Sequence, residues 1–320
     1  MRQGLNRVFF QGTAACLFLL FALTGCALRG AVGDGSGKLI VVTSIFPVAD
    51  IIRNVGGKRV QVTMLVQPGQ SPHTYEPLPK EMELVSRADV FAIVGFGLEF
   101  WADKMIANVQ NPKMVKLIFA DYVKPIKDQN EKYNGGKFTG KEPSDKDRHG
   151  IYNPHIWLSP KNAIIMAEAT RDALSKAKPS AAAEFAANWK SYTAELRKLD
   201  EWMTRETAKL PNKKFLSFHS AWTYLARDYG LDQVASIEES PGKETTPERL
   251  ARIIDEVRRD KVKAVFAEPQ FNPKTADVIA SEAGVKVLFL DPIGNPNLTD
   301  RDSYIKLMHY NVRQLEKALK

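Results

Sequence analysis

The sequence has little cysteine and little histidine, and it lacks the long apolar runs of membrane-spanning helices. Its 320 residues include two cysteines, Cys16 and Cys26, and five histidines. Cys16 falls within a predicted leader, so an exported mature chain would keep one cysteine and form no internal disulfide. Stability is therefore expected to come from the hydrophobic core and from any bound ligand.

Several function classes lack their usual residues. The net charge of +8 is spread over stretches of mixed sign, and no cluster of aromatic residues and arginines indicates a nucleic-acid surface. No Gly-rich phosphate loop, nucleophile elbow or HExxH motif occurs. These absences argue against nucleic-acid binding and against the enzyme classes that such motifs mark.

The first 37 residues predict export and anchoring. Residues 1–25 combine two arginines with an interrupted apolar run, which is typical of a signal peptide and shorter than the ~20 residues of a spanning helix. LTGC, ending at Cys26, resembles a bacterial lipobox, so we expect Cys26 to be lipidated and residues 26–37 to form a flexible tether. An ordinary signal peptide with an unmodified cysteine is the alternative.

Alternating strand and helix patterns predict an α/β fold. Short apolar runs separated by helical patterns indicate parallel sheets flanked by helices. The chain is too long for one ordinary core, so we expect two similar lobes, over residues 38–178 and 212–320. The predicted strands are KLIVVTS, VQVTMLV, DVFAIVG, MVKLIF, KKFLSF, VKAVFAE and VKVLFL.

One long rigid helix, within residues 179–211, is expected to join the lobes. Apolar residues recur there at steps of three and four, which places them on one helical face; they are Phe185, Trp189, Tyr192, Leu196, Leu199 and Met203. The charged residues 124–150, which include His149, show no such period and predict a mobile loop.

Three histidines and one aspartate fall at predicted strand ends or helix starts. His73 lies in the loop after VQVTMLV, and His155 precedes a helix in NPHIWLSP. His219 follows FLSF and Asp291 follows VLFL. Ligands of open α/β sheets bind beyond the carboxyl ends of the strands, so these four residues are candidate metal ligands. Three imidazoles and one carboxylate suit tetrahedral zinc.

Other polar residues near these positions have supporting or structural roles in this hypothesis. We expect Glu268 and Glu76 to accept hydrogen bonds from ring nitrogens, or to act as alternative oxygen ligands. A single histidine in an apolar stretch is more often a packed core residue than a ligand, and His309 is assigned that structural role. His149 is expected to be solvated, with transient metal capture as the alternative.

Taken together, the motifs resemble those of solute-binding lipoproteins of zinc/manganese-type ABC importers, the cluster A-I metal-binding proteins. The stretches that carry the resemblance are LTGC, TSIFPVADIIRNVGG, HTYEP, NPHIWLSP, HSAWTYLARDYG, AEPQF and LDPIG. The resemblance implies two α/β lobes bridged by a rigid helix, with metal ligands at His73, His155, His219 and Asp291. It also implies a lipid-anchored monomer, not an enzyme, that captures Zn²⁺ outside the inner membrane and delivers it to a membrane permease.

The resemblance leaves the metal and some roles open. Histidine at position 219 resembles the zinc-type members, whereas manganese-type members often have glutamate there. Import of Mn²⁺ or Fe²⁺ is the first alternative; a zinc hydrolase and a surface adhesin are the others. Asn153 stands where the family commonly has aspartate, and residues 124–150 lack the histidine-rich tract of some zinc importers.

Overall fold

Two parallel four-stranded sheets form the framework of the protein. The computed structural model describes residues 37–127, 151–238, 242 and 245–320. The first sheet has the order β2-β1-β3-β4, with β1 at Leu39–Thr43, β2 at Val60–Met64, β3 at Val90–Ile93 and β4 at Val115–Ile118. The second has the equivalent order β6-β5-β7-β8, with β5 at Lys214–Ser217, β6 at Asp232–Ser236, β7 at Ala264–Ala267 and β8 at Lys286–Phe289. The predicted fold class is confirmed.

Helices cover these sheets and connect their strands. They are α1 Phe46–Gly56, α2 Pro79–Ser86, α3 Ala102–Asn108, α4 Pro160–Ala177, α5 Ala182–Ala208, α6 Thr223–Tyr229, α7 Pro247–Arg259, α8 Lys274–Ala283 and α9 Tyr304–Leu319. The starts of α4 and α7 are capped, because the hydroxyls of Ser159 and Thr246 accept hydrogen bonds from backbone amides in the first turn. Both helices also carry proline at their first position.

The apolar runs of the strands explain which of them could be predicted from the sequence. The inner strands β3 and β7 are buried at every residue, as expected for a parallel sheet covered on both faces. The edge strand β6 was not predicted. Its sequence, DQVAS, contains one β-branched residue and is largely half-buried, so it lacks the apolar run that marks the inner strands.

The long helix is confirmed as α5, and it packs into a core that both lobes share. Its 27 residues give a rod of about 40 Å. Five residues of the predicted stripe are buried and Trp189 is partly buried. The same continuous cluster contains Phe119 of the first half together with Phe215 and Trp222 of the second. A smaller cluster lies around α7 and α8.

Buried hydrogen bonds reinforce this shared core across the two halves. The indole Nε1 of Trp157 donates to the carbonyl of Pro292 at 2.6 Å, and the Tyr304 hydroxyl donates to the carbonyl of Trp157 at 2.7 Å. The Tyr304 amide donates to the Asp50 carboxylate at 2.9 Å. Relative movement of the halves would therefore expose apolar surface and break buried polar contacts.

Some sequence-based predictions lie outside the described residues. These are the leader and Cys26, and residues 128–150 with His149. The boundaries of the lobes remain predictions. Helix α9, from the second half, contacts both α1 of the first half and the long helix α5.

Among the described helices, none combines the length and hydropathy that crossing a membrane requires.

The shared core predicts that the halves unfold together. Leu196→Ala removes a fully buried side chain of α5 and is expected to lower the free energy of unfolding by about 2–5 kcal/mol. Urea unfolding of the metal-free protein, followed by far-UV circular dichroism and by tryptophan fluorescence, should show one shifted transition with both probes.

Leu84→Ala is the matched control, because this leucine on α2 is 41% exposed. It should change the free energy of unfolding by less than about 1 kcal/mol. Two separate transitions in the Leu196 variant would contradict a common core.

Candidate metal centre

Three histidine rings from distant parts of the chain meet at one point. The Nε2 atom of His155 lies 3.0 Å from Nε2 of His73 and 3.0 Å from Nε2 of His219. One nitrogen from each of the three rings lies within 4.8 Å of the others. The rings occur at the predicted positions, and together they offer three nitrogen ligands to one ion.

The pocket around the rings is built from both halves. Ser71, Pro72 and Trp157 line it from the first half, and Gln270, Phe271 and Ile293 line it from the second. Trp157 is fully buried and its ring lies 5.3 Å from that of His155 between centroids. Trp157 therefore forms part of the pocket wall.

His155 is held by the residue two positions before it. It lies between the isolated bridge at Tyr152 and a 3₁₀ turn at Ile156–Leu158. The side-chain Oδ1 of Asn153 lies 3.0 Å from both the backbone amide and the ring Nδ1 of His155. Because this oxygen is an acceptor only, the hydrogen bond requires a proton on Nδ1.

His219 is held in an equivalent way by a carboxylate from the next strand. His219 lies two residues after β5, and Glu268 directly follows β7. The ring Nδ1 of His219 lies 2.7 Å from Oε1 of Glu268. β5 and β7 flank the point where the strand order reverses, the usual ligand-binding position in such sheets. Glu268 is therefore placed as predicted, beside a ring nitrogen.

His73 is the least enclosed of the three rings. It belongs to the loop between β2 and α2, and its backbone amide donates to the Ser71 hydroxyl at 3.3 Å. Its ring centroid lies 5.0 Å from that of His155 and 5.5 Å from that of His219. The side chain is half-buried, whereas His155 and His219 are each 3% exposed.

The hydrogen bonds leave the converging nitrogens suited to a cation. When His155 and His219 are neutral, the Nδ1 protons are engaged by Asn153 and Glu268, so both Nε2 atoms carry bare lone pairs. Two lone pairs facing each other at 3.0 Å repel. A divalent cation between them would replace this repulsion by attraction, so the donor set fits a metal ion.

The predicted carboxylates differ in their positions. Asp291 is buried at 2% exposure but does not belong to the group of atoms within 4.8 Å. Its Oδ1 accepts hydrogen bonds from the amides of Ile293 and Gly294 at 3.1 and 2.9 Å, and its Oδ2 lies 3.4 Å from Arg301 Nη1. In contrast, Oε2 of Glu268 is buried and has no hydrogen-bond partner among the described residues.

Glu76 is not placed as predicted. It is exposed and lines a separate surface groove with Phe100 and Trp101. Its side chain makes no hydrogen bond to a histidine ring in the described part of the chain. The physical reason is that Tyr75 turns into the core against Trp101, with ring centroids at 5.5 Å, and its neighbour Glu76 faces solvent.

Sequence reasoning missed two residues that contact Asp291. Gln270 Nε2 donates to its Oδ1 at 3.2 Å, and Arg301 contacts its Oδ2. Gln270 could have been predicted, since it lies in the AEPQF stretch after β7, which is one of the stretches that carry the family resemblance. Nothing in the sequence around Arg301 indicates its position. His309 packs against Trp202 with ring centroids 4.1 Å apart, which agrees with its predicted structural role.

Burial changes the acid–base behaviour of two of the rings. Burial, and then the neighbouring His219, lower the pKa of His73 to about 3. Burial, followed by His219 and His73, holds the pKa of His155 well below its usual range. Both rings are therefore neutral, as metal binding requires, over the range in which free histidine becomes charged.

These lowered pKa values predict a pH-dependent stability of the metal-free protein. Below about pH 6.5 the unfolded chain takes up protons on His73 and His155 that the folded chain does not. The free energy of unfolding should therefore fall as the pH drops from about 6.5 towards 3. His73→Gln should reduce this pH dependence, measured by urea unfolding in chelator at pH 7 and pH 5. An equal pH dependence in the variant would contradict the lowered pKa.

Comparison with known proteins places this geometry in a family. The family model described as zinc-uptake complex component A, periplasmic (ZnuA), matches residues 41–318. The zinc-binding lipoprotein AdcA of Streptococcus pneumoniae is 32% identical over 290 residues, which cover 89% of this chain and 56% of AdcA. The chain thus spans just over half the length of that relative. The manganese-binding lipoprotein MntA of Halalkalibacterium halodurans is 29% identical over 313 residues, 96% of this chain and 97% of MntA.

Solved structures agree with the fold. The crystal structure of ZnuA superimposes with a TM-score of 0.76 at 29% identity, covering 88% of this chain and 100% of that one. The laminin binding protein Lmb of Streptococcus agalactiae, described as bifunctional with adhesin and metal transporting activity, gives a TM-score of 0.76 at 27% identity, with 88% and 100% coverage.

Proposed function

The chain belongs to the family of periplasmic zinc-uptake component A proteins, and we propose that it is an exported receptor that captures Zn²⁺ for an ABC permease. The observation that carries this proposal is the convergence of one ring nitrogen from each of His73, His155 and His219 within 4.8 Å of one another. The geometry supports a binding role, because three imidazole nitrogens can replace water around an ion without breaking a covalent bond.

In this proposal two of the three rings are presented to the ion by partners on their far sides. Asn153 and Glu268 hold the Nδ1 atoms of His155 and His219, so that Nε2 is the ligand atom. The carboxylate of Glu268 also supplies negative charge near the ion. His73 approaches from a loop and completes the set of nitrogen ligands.

Asp291 is proposed as the fourth ligand. Its support is the resemblance of LDPIG to the family motif and its burial beside Pro292 and Ile293, which line the pocket. Its carboxylate also contacts Gln270 and Arg301, and a carboxylate has enough lone pairs to keep hydrogen bonds while it binds an ion.

Zinc is favoured over manganese by the type of ligand. Imidazole nitrogens suit zinc, whereas manganese prefers more oxygen ligands. The relative MntA is a manganese-binding lipoprotein, so Mn²⁺ import is the alternative within the same architecture. The third imidazole, His219, is the residue on which the choice of zinc depends.

Delivery and location extend this proposal beyond the described residues. A signal peptide and a lipid on Cys26 would hold the receptor at the outer face of the cytoplasmic membrane or on the cell surface, next to the permease. The shared core and the buried contacts of Trp157 and Tyr304 support release by small local movements instead of wide opening of the lobes. The His73 loop is the part of the site that these contacts restrain least.

Adhesion is a second candidate function. The observation that favours it is the similarity to Lmb, which is described as combining adhesin and metal transporting activity. A solid-phase binding assay with laminin, using the metal-loaded protein, would test it separately from metal capture.

Removal of one ring should separate metal binding from folding. Zinc should raise the melting temperature of the wild-type protein, because it binds only the folded state. His219→Ala should lose most of that rise. The matched control is His309→Ala, since His309 is a partly buried histidine outside the group of three rings and should keep the full rise. An undiminished rise in the His219 variant would exclude His219 as a ligand.

Two isosteric variants should distinguish the roles of the carboxylates. Asp291→Asn is expected to weaken zinc binding and to change the visible spectrum of the Co²⁺-substituted protein, because a charged carboxylate ligand is replaced by a neutral amide. Glu268→Gln is expected to weaken binding by roughly 10–100-fold, with a smaller spectral change, because it acts through His219. Zinc affinity is measured by competition with a chromophoric chelator. Unchanged affinity and spectrum in Asp291→Asn would remove Asp291 from the ligand set.

A further inference from the structure

We propose that Asn153 is a positioning residue that fixes the His155 and His219 segments relative to each other before the ion arrives. The inference rests on the proposed function of metal capture and deepens it. Asn153 is completely buried, and its amide contacts both halves of the metal centre.

The orientation of the Asn153 side-chain amide is fixed by two hydrogen-bond partners, one of which can only donate and the other only accept. The backbone amide of His155 can only donate, and it lies 3.0 Å from Oδ1. The carbonyl of Ser220 can only accept, and it lies 2.5 Å from Nδ2. A flipped amide would place donor against donor and acceptor against acceptor, so Oδ1 faces His155 and Nδ2 faces Ser220.

This orientation determines which nitrogen of His155 faces the ion. The ring Nδ1 of His155 lies 3.0 Å from the same Oδ1. Because Oδ1 has no proton to give, Nδ1 must carry the proton and Nε2 must be bare. The side chain of Asn153 therefore selects the tautomer of His155 that presents a lone pair to the other rings.

The other end of the amide holds the segment that carries His219. Nδ2 donates to the carbonyl of Ser220, the residue directly after His219, and lies 3.2 Å from the Thr223 hydroxyl. The backbone carbonyl of Asn153 accepts from the Tyr224 hydroxyl at 3.0 Å. Asn153 thus joins two ligand segments that are more than 60 residues apart, on the side of the rings away from the ion.

A side-chain amide can accept hydrogen bonds from His155 and also donate one to the Ser220 carbonyl, whereas a carboxylate cannot do both. Aspartate at this position would accept from His155 but would have no donor for the Ser220 carbonyl. Its second oxygen would face that carbonyl at hydrogen-bond distance, in a buried site where unpaired acceptors are costly. Asn153 therefore ties the His155 and His219 segments together in a way that aspartate would not.

The experiment compares Asn153→Asp with the wild-type protein. We expect zinc and Co²⁺ to bind roughly 10–100-fold more weakly, and the visible bands of the Co²⁺ form to shift because the two rings are no longer held at one separation. A merely structural role of Asn153 would lower stability without changing the Co²⁺ spectrum. Unchanged affinity and an unchanged spectrum would overturn the inference.

Asn162→Asp is the matched control. Asn162 is also a buried asparagine, 5% exposed, whose Nδ2 donates to a backbone carbonyl, that of Ile156, at 3.0 Å. It makes no hydrogen bond to a histidine ring in the described part of the chain, so its variant should keep the wild-type metal affinity and Co²⁺ spectrum. If both variants weaken binding equally and leave the spectrum unchanged, the effect is one of stability and the inference fails.

A second measurement uses the unmodified protein, in case Asn153→Asp does not fold. Long-range ¹H–¹⁵N NMR of the metal-free wild type at pH 7 should show His155 protonated at Nδ1, and a proton on Nε2 would overturn the inference. The NMR result is independent of metal binding. If the wild type fails to bind zinc, the proposed function fails, while the tautomer of His155 still decides the role of Asn153.

Discussion

The metal centre depends on two imidazole nitrogens without protons, Nε2 of His155 and Nε2 of His219, which lie 3.0 Å apart. Without a cation this contact is repulsive when both rings are neutral, so the rings would turn apart unless something held them. Asn153 and Glu268 provide that restraint by accepting the Nδ1 protons. The site is therefore organised for an ion at the cost of local repulsion, which ion binding would remove.

The frame around the rings must be rigid for this arrangement to persist. The long helix α5 contributes buried side chains to a core that reaches from Phe119 to Phe215 and Trp222. Trp157, two residues after His155, donates to the carbonyl of Pro292, directly after Asp291. Close packing of this kind resists continuous deformation, so the two halves behave as one support. Segments with few buried contacts can move more easily, and among the candidate metal ligands His73 lies in such a segment.

Much of the fold and the three rings could be predicted from local sequence. Continuous apolar runs identified the inner strands, and the rule that ligands bind beyond strand ends brought His73, His155 and His219 together. β6 was missed because its sequence, DQVAS, has no such run. The partners of Asp291 were missed because Arg301 reaches it through tertiary packing, and Glu76 was misplaced because the direction of a loop side chain depends on Tyr75 filling the core.

The contacts of Asn153 could not be predicted from the sequence motif that contains it. The sequence does not show that the Asn153 side chain contacts the carbonyl of Ser220, which follows a different strand in the other half. Asn153 pairs with one donor and one acceptor that are far apart along the chain. The sequence around such a residue does not reveal its role.

The two sheets have the same strand order but use their reversal points differently. In the first sheet, Glu99 occupies this point and accepts hydrogen bonds from the Ser44 hydroxyl at 2.5 Å and from the amides of Val94 and Gly95 at 3.0 Å each. Burial raises the pKa of this carboxyl. Both oxygens of Glu99 are thus engaged in hydrogen bonds within the fold.

In the second sheet, the equivalent point holds His219 and Glu268, and Oε2 of Glu268 lacks a partner among the described residues. The second half therefore provides a fixed part of the site at its own reversal point. The first half contributes instead from a loop, through His73, and from the segment before α4, through His155. Asn153 also ties His155 to the second half, whereas His73 is the candidate ligand that is least enclosed. In the proposed site, the His73 loop is therefore the expected place for an ion to enter and leave.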